Sequence, residues 1–208
     1  MVYIDRIVAT IIGALVLIMG ISTQQRARQS SVENTMLYVA KKQTLELADL
    51  LERDLTNVGY QTTPGQDAIT YFSLHQDDLL DTLQFWGLHR DTEDGVAQQV
   101  EVRYVLAQAD TVEIDETVIP LYRLTRYERV GASWQVRGES GPTLTRMYVD
   151  LLNENNDAAQ PEDATRIRVR LENGVVPKLD VSNRHNGLRS LHWSTTLSPP
   201  SIRGFQGQ

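Results

Sequence analysis

The chain has 208 residues, enough for one domain plus an anchor or for two small domains, and its 41% hydrophobic and 23% charged content suits a folded soluble part. A formal net charge of -7 argues against a nucleic-acid partner, because phosphate binding calls for a basic face. Cysteine is absent, which excludes disulfides, zinc–thiolate sites, iron–sulfur clusters and a cysteine nucleophile.

The first stretch organises the rest. From Ile7 to Ile21 (IVATIIGALVLIMGI) every residue is apolar or small, and no charge returns until Arg26. An uncharged helical run of about 19 residues covers roughly 28 Å, just enough to cross a bilayer core. Beyond it, SSVENTMLYVAKKQTLELADLLERDLTNV contains no Gly or Pro until Gly59. Nothing there stops a helix, so one rod of roughly 80 Å is predicted. A rod that long cannot bury itself on one small domain and serves better as an anchor or an assembly element.

The chain therefore divides into a transmembrane or assembly helix over 1–25, its amphipathic continuation over 26–59, and a β-rich globular domain over 60–208 with a loose tail. In the first part Ile7, Ile11, Ile12, Leu15, Leu17, Ile18 and Ile21 are the expected membrane residues. A retained anchor is expected rather than a cleaved signal or a buried core helix. Asp5 stands where a basic n-region belongs, and no A-x-A-like site follows. Arg6 lies on one side of the run and Arg26 and Arg28 on the other, so the positive-inside rule casts no vote on orientation.

Past the membrane the helix carries an apolar stripe at Leu37, Ala40, Leu47, Leu51, Leu55 and Val58, spaced to pack one face on a sheet. Lys41, Lys42, Glu46, Asp49, Glu52 and Arg53 fall off it, as a solvated face does. Gly59 is the expected helix end, followed by a loop at Pro64-Gly65.

The period then shifts towards two. Strands are expected at 69–72, 82–86, 100–106, 118–127, 133–137, 145–152 and 165–171, with a weaker one at 188–196. In VEVRYVL, Val100, Val102, Tyr104 and Leu106 face one way and Glu101, Arg103 and Val105 the other. Pro120 hints at an edge or a strand start. In TRIRVRL, Ile167, Val169 and Leu171 point inward, and Arg166, Arg168 and Arg170 form an outward row that reads as a solvated or edge-protecting face. Pro199-Pro200 opens the loose tail. The fold class is α+β, a long helix on an antiparallel sheet.

Chemistry-bearing patterns are few. His75, His89, His185 and His192 form no H-x-x-x-H or HExxH pair, and His89-Arg90-Asp91 lacks every other part of a kinase. No nucleophile elbow or phosphate-cradling glycine loop is present. The acidic clusters at Asp77-Asp78, 91–95 and 154–157 lack the twelve-residue register of an EF-hand and read as loops. No metal, cofactor or catalytic residue is expected, and the chain reads as non-enzymatic. An anchored hydrolase would need a nucleophile–base or metal pair, and none is visible. Asp5 has two readings: a headgroup-level acid beside Arg6, or an assembly contact to the terminal amine, at Met1, of a neighbouring subunit.

Together these features resemble the type IV pilin-like superfamily, closest to minor pilins and pseudopilins of the W and J classes. An apolar helix with an acid at Asp5 runs unbroken into an amphipathic segment ending Leu50-Leu51-Glu52-Arg53-Asp54-Leu55-Thr56-Asn57-Val58-Gly59-Tyr60, which is similar to the family's helix end. VEVRYVL, PLYRLTRYE and the late TRIRVRL are similar to its strands. The resemblance implies a subunit held by one pass in the inner membrane, with its C-terminal domain outside the cytoplasm. Pilus or type II secretion machinery would then extract it into a filament beside other pilin-like subunits. It implies that Asp5 neutralises the adjacent subunit's N-terminus. The family's precursors carry a short basic leader ending in Gly and usually have Glu at this position, and neither is seen here. The rival expectation is a signal-anchored extracytoplasmic binding module that forms no filament.

Overall fold

In the computed structural model a single 55-residue helix, α1 (Val2–Thr56), leads into eight strands. These are β1 (Ile69–Leu74), β2 (Leu80–His89), β3 (Gln98–Ile114), β4 (Thr117–Val130), β5 (Ser133–Glu139), β6 (Leu144–Leu152), β7 (Arg166–Val175) and β8 (Arg189–Leu197). A short helix, α2 (Pro200–Arg203), closes the order. The structure describes residues 2–63, 65–75, 77–89, 98–114, 117–175 and 189–203.

All pairings are antiparallel, in the order β1-β2-β3-β4-β6-β7-β8, and β5 also pairs with β4. One face of the sheet receives the second half of α1. Its core joins Leu51, Leu55 and Val58 to Leu83 and Phe85 of β2, Val102, Tyr104 and Leu106 of β3, and Leu124 of β4. Met147, Val149 and Leu151 of β6 and Ile167, Val169 and Leu171 of β7 complete it. Each such side chain taken fully out of water stabilises by about 1.5–3 kcal/mol. That burial, rather than helix propensity, holds the docked half of α1.

The surface of the helix that docks differs in part from the expected stripe. Ala40, Leu51, Leu55 and Val58 are buried and Leu47 is half-buried against the core, while Leu37 stays half-exposed outside it. Thr44, Ala48 and Asp54 are buried on the same face. The expected charged face is exposed throughout. The helix ends as Gly59 requires. Its φ is +79°, its N–H donates to the Trp86 carbonyl at 2.7 Å, and an added Cβ would stand 3.0 Å from that of Ala68. Gly131, at φ +63°, makes the β4–β5 turn.

Three features go beyond the expected pattern. Glu101 is buried although it alternates away from the helix. On the outer face it accepts from Arg129 Nη1 at 2.8 Å, from Thr70 Oγ1 at 3.4 Å and from Gln84 Nε2, so polar pairing rather than apolar packing encloses it. The β3–β4 pair also continues past the sheet as a two-stranded ribbon, to Ile114 opposite Thr117. There Pro120 faces Thr111, and among the described residues β4 has no second neighbour at that position, an edge setting that suits proline. Finally, the tail is not loose over its first residues. Pro199 is buried, α2 follows with Ser201 against Gly59, and Ile202 enters the core.

Candidate functional site

Three features of α1 and the sheet beneath it define the candidate site. The first is the bare half of the helix. Ile7, Ile11, Ile12, Leu15, Leu17, Ile18 and Ile21 are each 48–63% exposed, and no part of this apolar window is buried inside the chain. A helix that is apolar all round must be covered, by protein or by lipid. Its few hydroxyls are already satisfied within the helix. Thr10 Oγ1 donates to the Arg6 carbonyl at 2.8 Å, and Ser22 Oγ and Thr23 Oγ1 donate to that of Met19 at 2.9 and 2.8 Å. None of them needs water, which is the condition for burial in hydrocarbon. The segment is long and apolar enough to span a membrane and fits a single-pass anchor. Arg6 is exposed; Met1 and the side chain of Asp5 lie outside the described residues.

The second feature is a buried ionic lock between helix and sheet. Asp54, 6% exposed, meets Arg126 of β4, 7% exposed, with Nε to Oδ2 at 2.5 Å. The hydroxyl of Tyr104 donates to the same oxygen at 2.7 Å. Arg126 Nη1 reaches Glu128 Oε1 at 2.6 Å, and Glu128 Oε2 lies 3.2 Å from Arg137 Nε of β5. One carboxylate on α1 thereby engages β3, β4 and, through Glu128, β5. Burial pushes the Tyr104 phenol well above its ordinary value, and the Asp54 charge beside it adds to the rise. Burial alone would lower Arg126, but Asp54, Tyr104 and Glu128 outweigh it and hold the guanidinium above the arginine range. The lock fixes rotation and register of the helix, since sliding one turn would strand buried charge.

The third feature follows from topology. β5 and β6 compete for the same edge of β4: residues 125–130 of β4 pair with β5, and Tyr122 alone pairs with Leu144 of β6. The sheet forks there. Under α1 the fork leaves a cleft of about 320 Å³, with Leu47, Leu50, Leu124 and Leu144 as apolar walls and Tyr104, Arg126 and Asn173 among its polar lining.

The structure does not gather the other candidates. His75 Nε2 lies 3.6 Å from Asp81, and His192 stands on β8 far along the chain. The side chain of His89, and His185 and the 91–95 cluster, lie outside the described residues. The 154–157 loop closes on itself, with Asn153 Oδ1 accepting from the N–H groups of Asn155 and Asp157. In the arginine row Arg166 donates to Asn156 at 2.6 Å and Arg170 to Asp150 at 3.1 Å. Among the described residues no three His, Asp or Glu side chains are placed to hold a metal ion.

Comparison with protein-family models, curated proteins and solved structures gives no match.

Sequence reasoning missed the lock and the cleft. The one local signal for the lock was Asp54 itself, an acid set between Leu51, Leu55 and Val58 on the apolar stripe.

Proposed function

We propose that this protein is a structural, non-enzymatic subunit of the type IV pilin-like kind, a minor component of a pilus or secretion pseudopilus. The observation that carries the reading is α1, one unbroken helix whose second half is locked into a sheet domain while its first half is bare and apolar. Such a subunit is held in the membrane by residues 1–25 and passes them to neighbouring helices on assembly. Asp5 would then meet the terminal amine of the next subunit, and the sheet domain would meet partners outside the cytoplasm. The resemblance at the helix end, from Leu50 to Tyr60, supports the same reading.

The test is to purify filament and membrane fractions from cells making the full chain or its Asp5→Ala variant, and to weigh the N-terminal peptide. The expected result is co-purification with other pilin-like subunits, a processed or methylated terminus, and loss of co-purification in the variant. A monomeric protein with an unmodified terminus, unaffected by Asp5→Ala, would sink the reading. It would leave the anchored binding module, which the fork cleft favours.

A further inference from the structure

We propose that the arginine face of β6 and β7 docks the β3–β4 ribbon of a second copy of this chain. The inference rests on the sheet domain alone and does not need the filament reading.

The face is built by strand alternation. Ile167, Val169 and Leu171 enter the core, so Arg166, Arg168, Arg170 and Glu172 stand on the opposite side of β7. Arg146, Tyr148 and Asp150 of β6 lie across from Glu172, Arg170 and Arg168 on that same side. Four arginines thus meet two carboxylates, on a chain whose net charge is -7. β7 is paired on both edges, by β6 and β8, so its arginines protect no free edge.

These arginines are unequally matched. Arg170 takes Asp150 at 3.1 Å and lies over the Tyr148 ring, while Arg146 only approaches Glu172, at 3.9 Å. That leaves Arg168, directly opposite Asp150, with no hydrogen bond or ion pair among the described residues. It is half-buried, and its five N–H donors are left to water. A planar carboxylate is the group that engages such a fork with two hydrogen bonds at once.

The chain itself carries the complementary element. Between Arg103 and Arg123 there is no Lys, Arg or His, while Asp110, Glu113, Asp115 and Glu116 all fall there. The strands of this stretch form the ribbon, which leaves the sheet beyond Val105 opposite Thr82 and Tyr122 opposite Leu144. Asp110 and Glu113 are exposed on it. Asp110 accepts only from the N–H of Thr111, and Glu113 has no partner among the described residues. The arginines of their own chain therefore do not neutralise them. Glu113 stands across from Val118, which is 62% exposed. A carboxylate beside a bare valine matches the surface that Arg168 and Tyr148 present, charge to charge and aliphatic surface to ring. A second copy brings these acids without counter-charge, on an element that projects from its domain.

Because ribbon and face are different surfaces, a copy that lacks one still offers the other. The experiment follows the full chain in detergent by sedimentation velocity, with micelles in excess so that few hold two helices. The wild type should self-associate at low salt, and raising NaCl to about 0.5 M should weaken this about tenfold, as screening of exposed charges requires. Arg168→Glu and Glu113→Lys should each weaken self-association by about tenfold or more. An equimolar mixture of the two variants should restore one-to-one pairing and grow no further. Such pairing also shows that each variant is folded, since each then uses its untouched surface. A wild type that stays monomeric at low salt, variants that associate as it does, or a mixture that stays monomeric would overturn the proposal. A monomeric wild type that binds hexaglutamate, and loses that binding in Arg168→Glu, would overturn it in favour of a foreign acidic partner. Both variants leave Asp5 and α1 untouched, so failure here leaves the filament test standing.

Discussion

The two halves of α1 are made from the same kinds of residue and meet opposite fates. From Ile7 to Ile21 the apolar residues run all round the helix and all remain uncovered. From Ala40 to Val58 most of them fall on one stripe that is buried on the sheet, with Leu45 left exposed off it. The difference shows what a stripe does: it gives a helix one surface to bury, and the charges off it keep the remainder in water. The bare half has no polar side to turn outward, and none of the described residues covers it. The lock adds a second lesson. Apolar stripes tolerate a slide by a turn, whereas Asp54 fits in one place, between Tyr104 and Arg126.

Breaking the lock is the sharpest way to separate the halves. Asp54→Ala leaves Arg126 buried with Glu128 as its remaining carboxylate, and should destabilise the sheet domain by about 3 kcal/mol in urea unfolding followed by tryptophan fluorescence. Replacing Asp54, Arg126 and Glu128 together by apolar residues should recover most of that loss, because no buried charge is then unpaired. A loss as large in the triple variant as in the single one would show that the lock is not a self-contained ionic unit.

Leucine truncations compare the halves directly. Leu51→Ala opens a core cavity and should cost about 3 kcal/mol, within the usual 2–5 kcal/mol for such sites. Leu17→Ala, the same substitution on the bare half, should leave the unfolding midpoint of the domain unchanged. Equal effects would mean that the two halves are not distinct in the way described.

Tyr104→Phe is the next smaller perturbation, about 1–2 kcal/mol for one buried hydrogen bond to a carboxylate. It carries a pH signature. The folded phenol ionises well above pH 10 and the unfolded one near it, so its contribution is whole below about pH 10 and falls as pH rises through the raised folded value. Stability measured from pH 9 upward should therefore decline in the wild type, and Tyr104→Phe should flatten that decline. Smallest of all is Lys42→Ala. Its pair with Glu46, 3.7 Å long between side chains each 65% exposed, should be worth no more than about 0.5 kcal/mol.

The elements were legible in sequence because they rest on local pattern. The absence of Gly and Pro from Ser22 to Val58, the alternation in VEVRYVL and TRIRVRL, and the turn-prone Gly59 and Gly131 each act through near neighbours. The lock was not legible, because Asp54, Tyr104 and Arg126 are separated by tens of residues and periodicity assigns a face, never a partner. Glu101 shows the same limit from the other side of the sheet: its alternation assigns it a face, and its pairing with Arg129, Gln84 and Thr70 encloses it there. The cleft depends on β5 and β6 sharing one edge of β4, a matter of strand order that no single strand encodes. Ile202 lay past Pro199-Pro200, where composition reads as tail and long-range packing decides otherwise.

The central claim is that residues 1–25 are covered by something outside the chain while the rest of α1 belongs to the domain. Alkaline carbonate extraction of membranes tests it most directly, comparing cells that make the full chain with cells that make residues 26–208. The account predicts that the full chain stays in the membrane pellet and that the shortened chain is soluble, with the same urea midpoint as the domain of the full chain. Release of the full chain by carbonate, or unfolding of the shortened one, would contradict it.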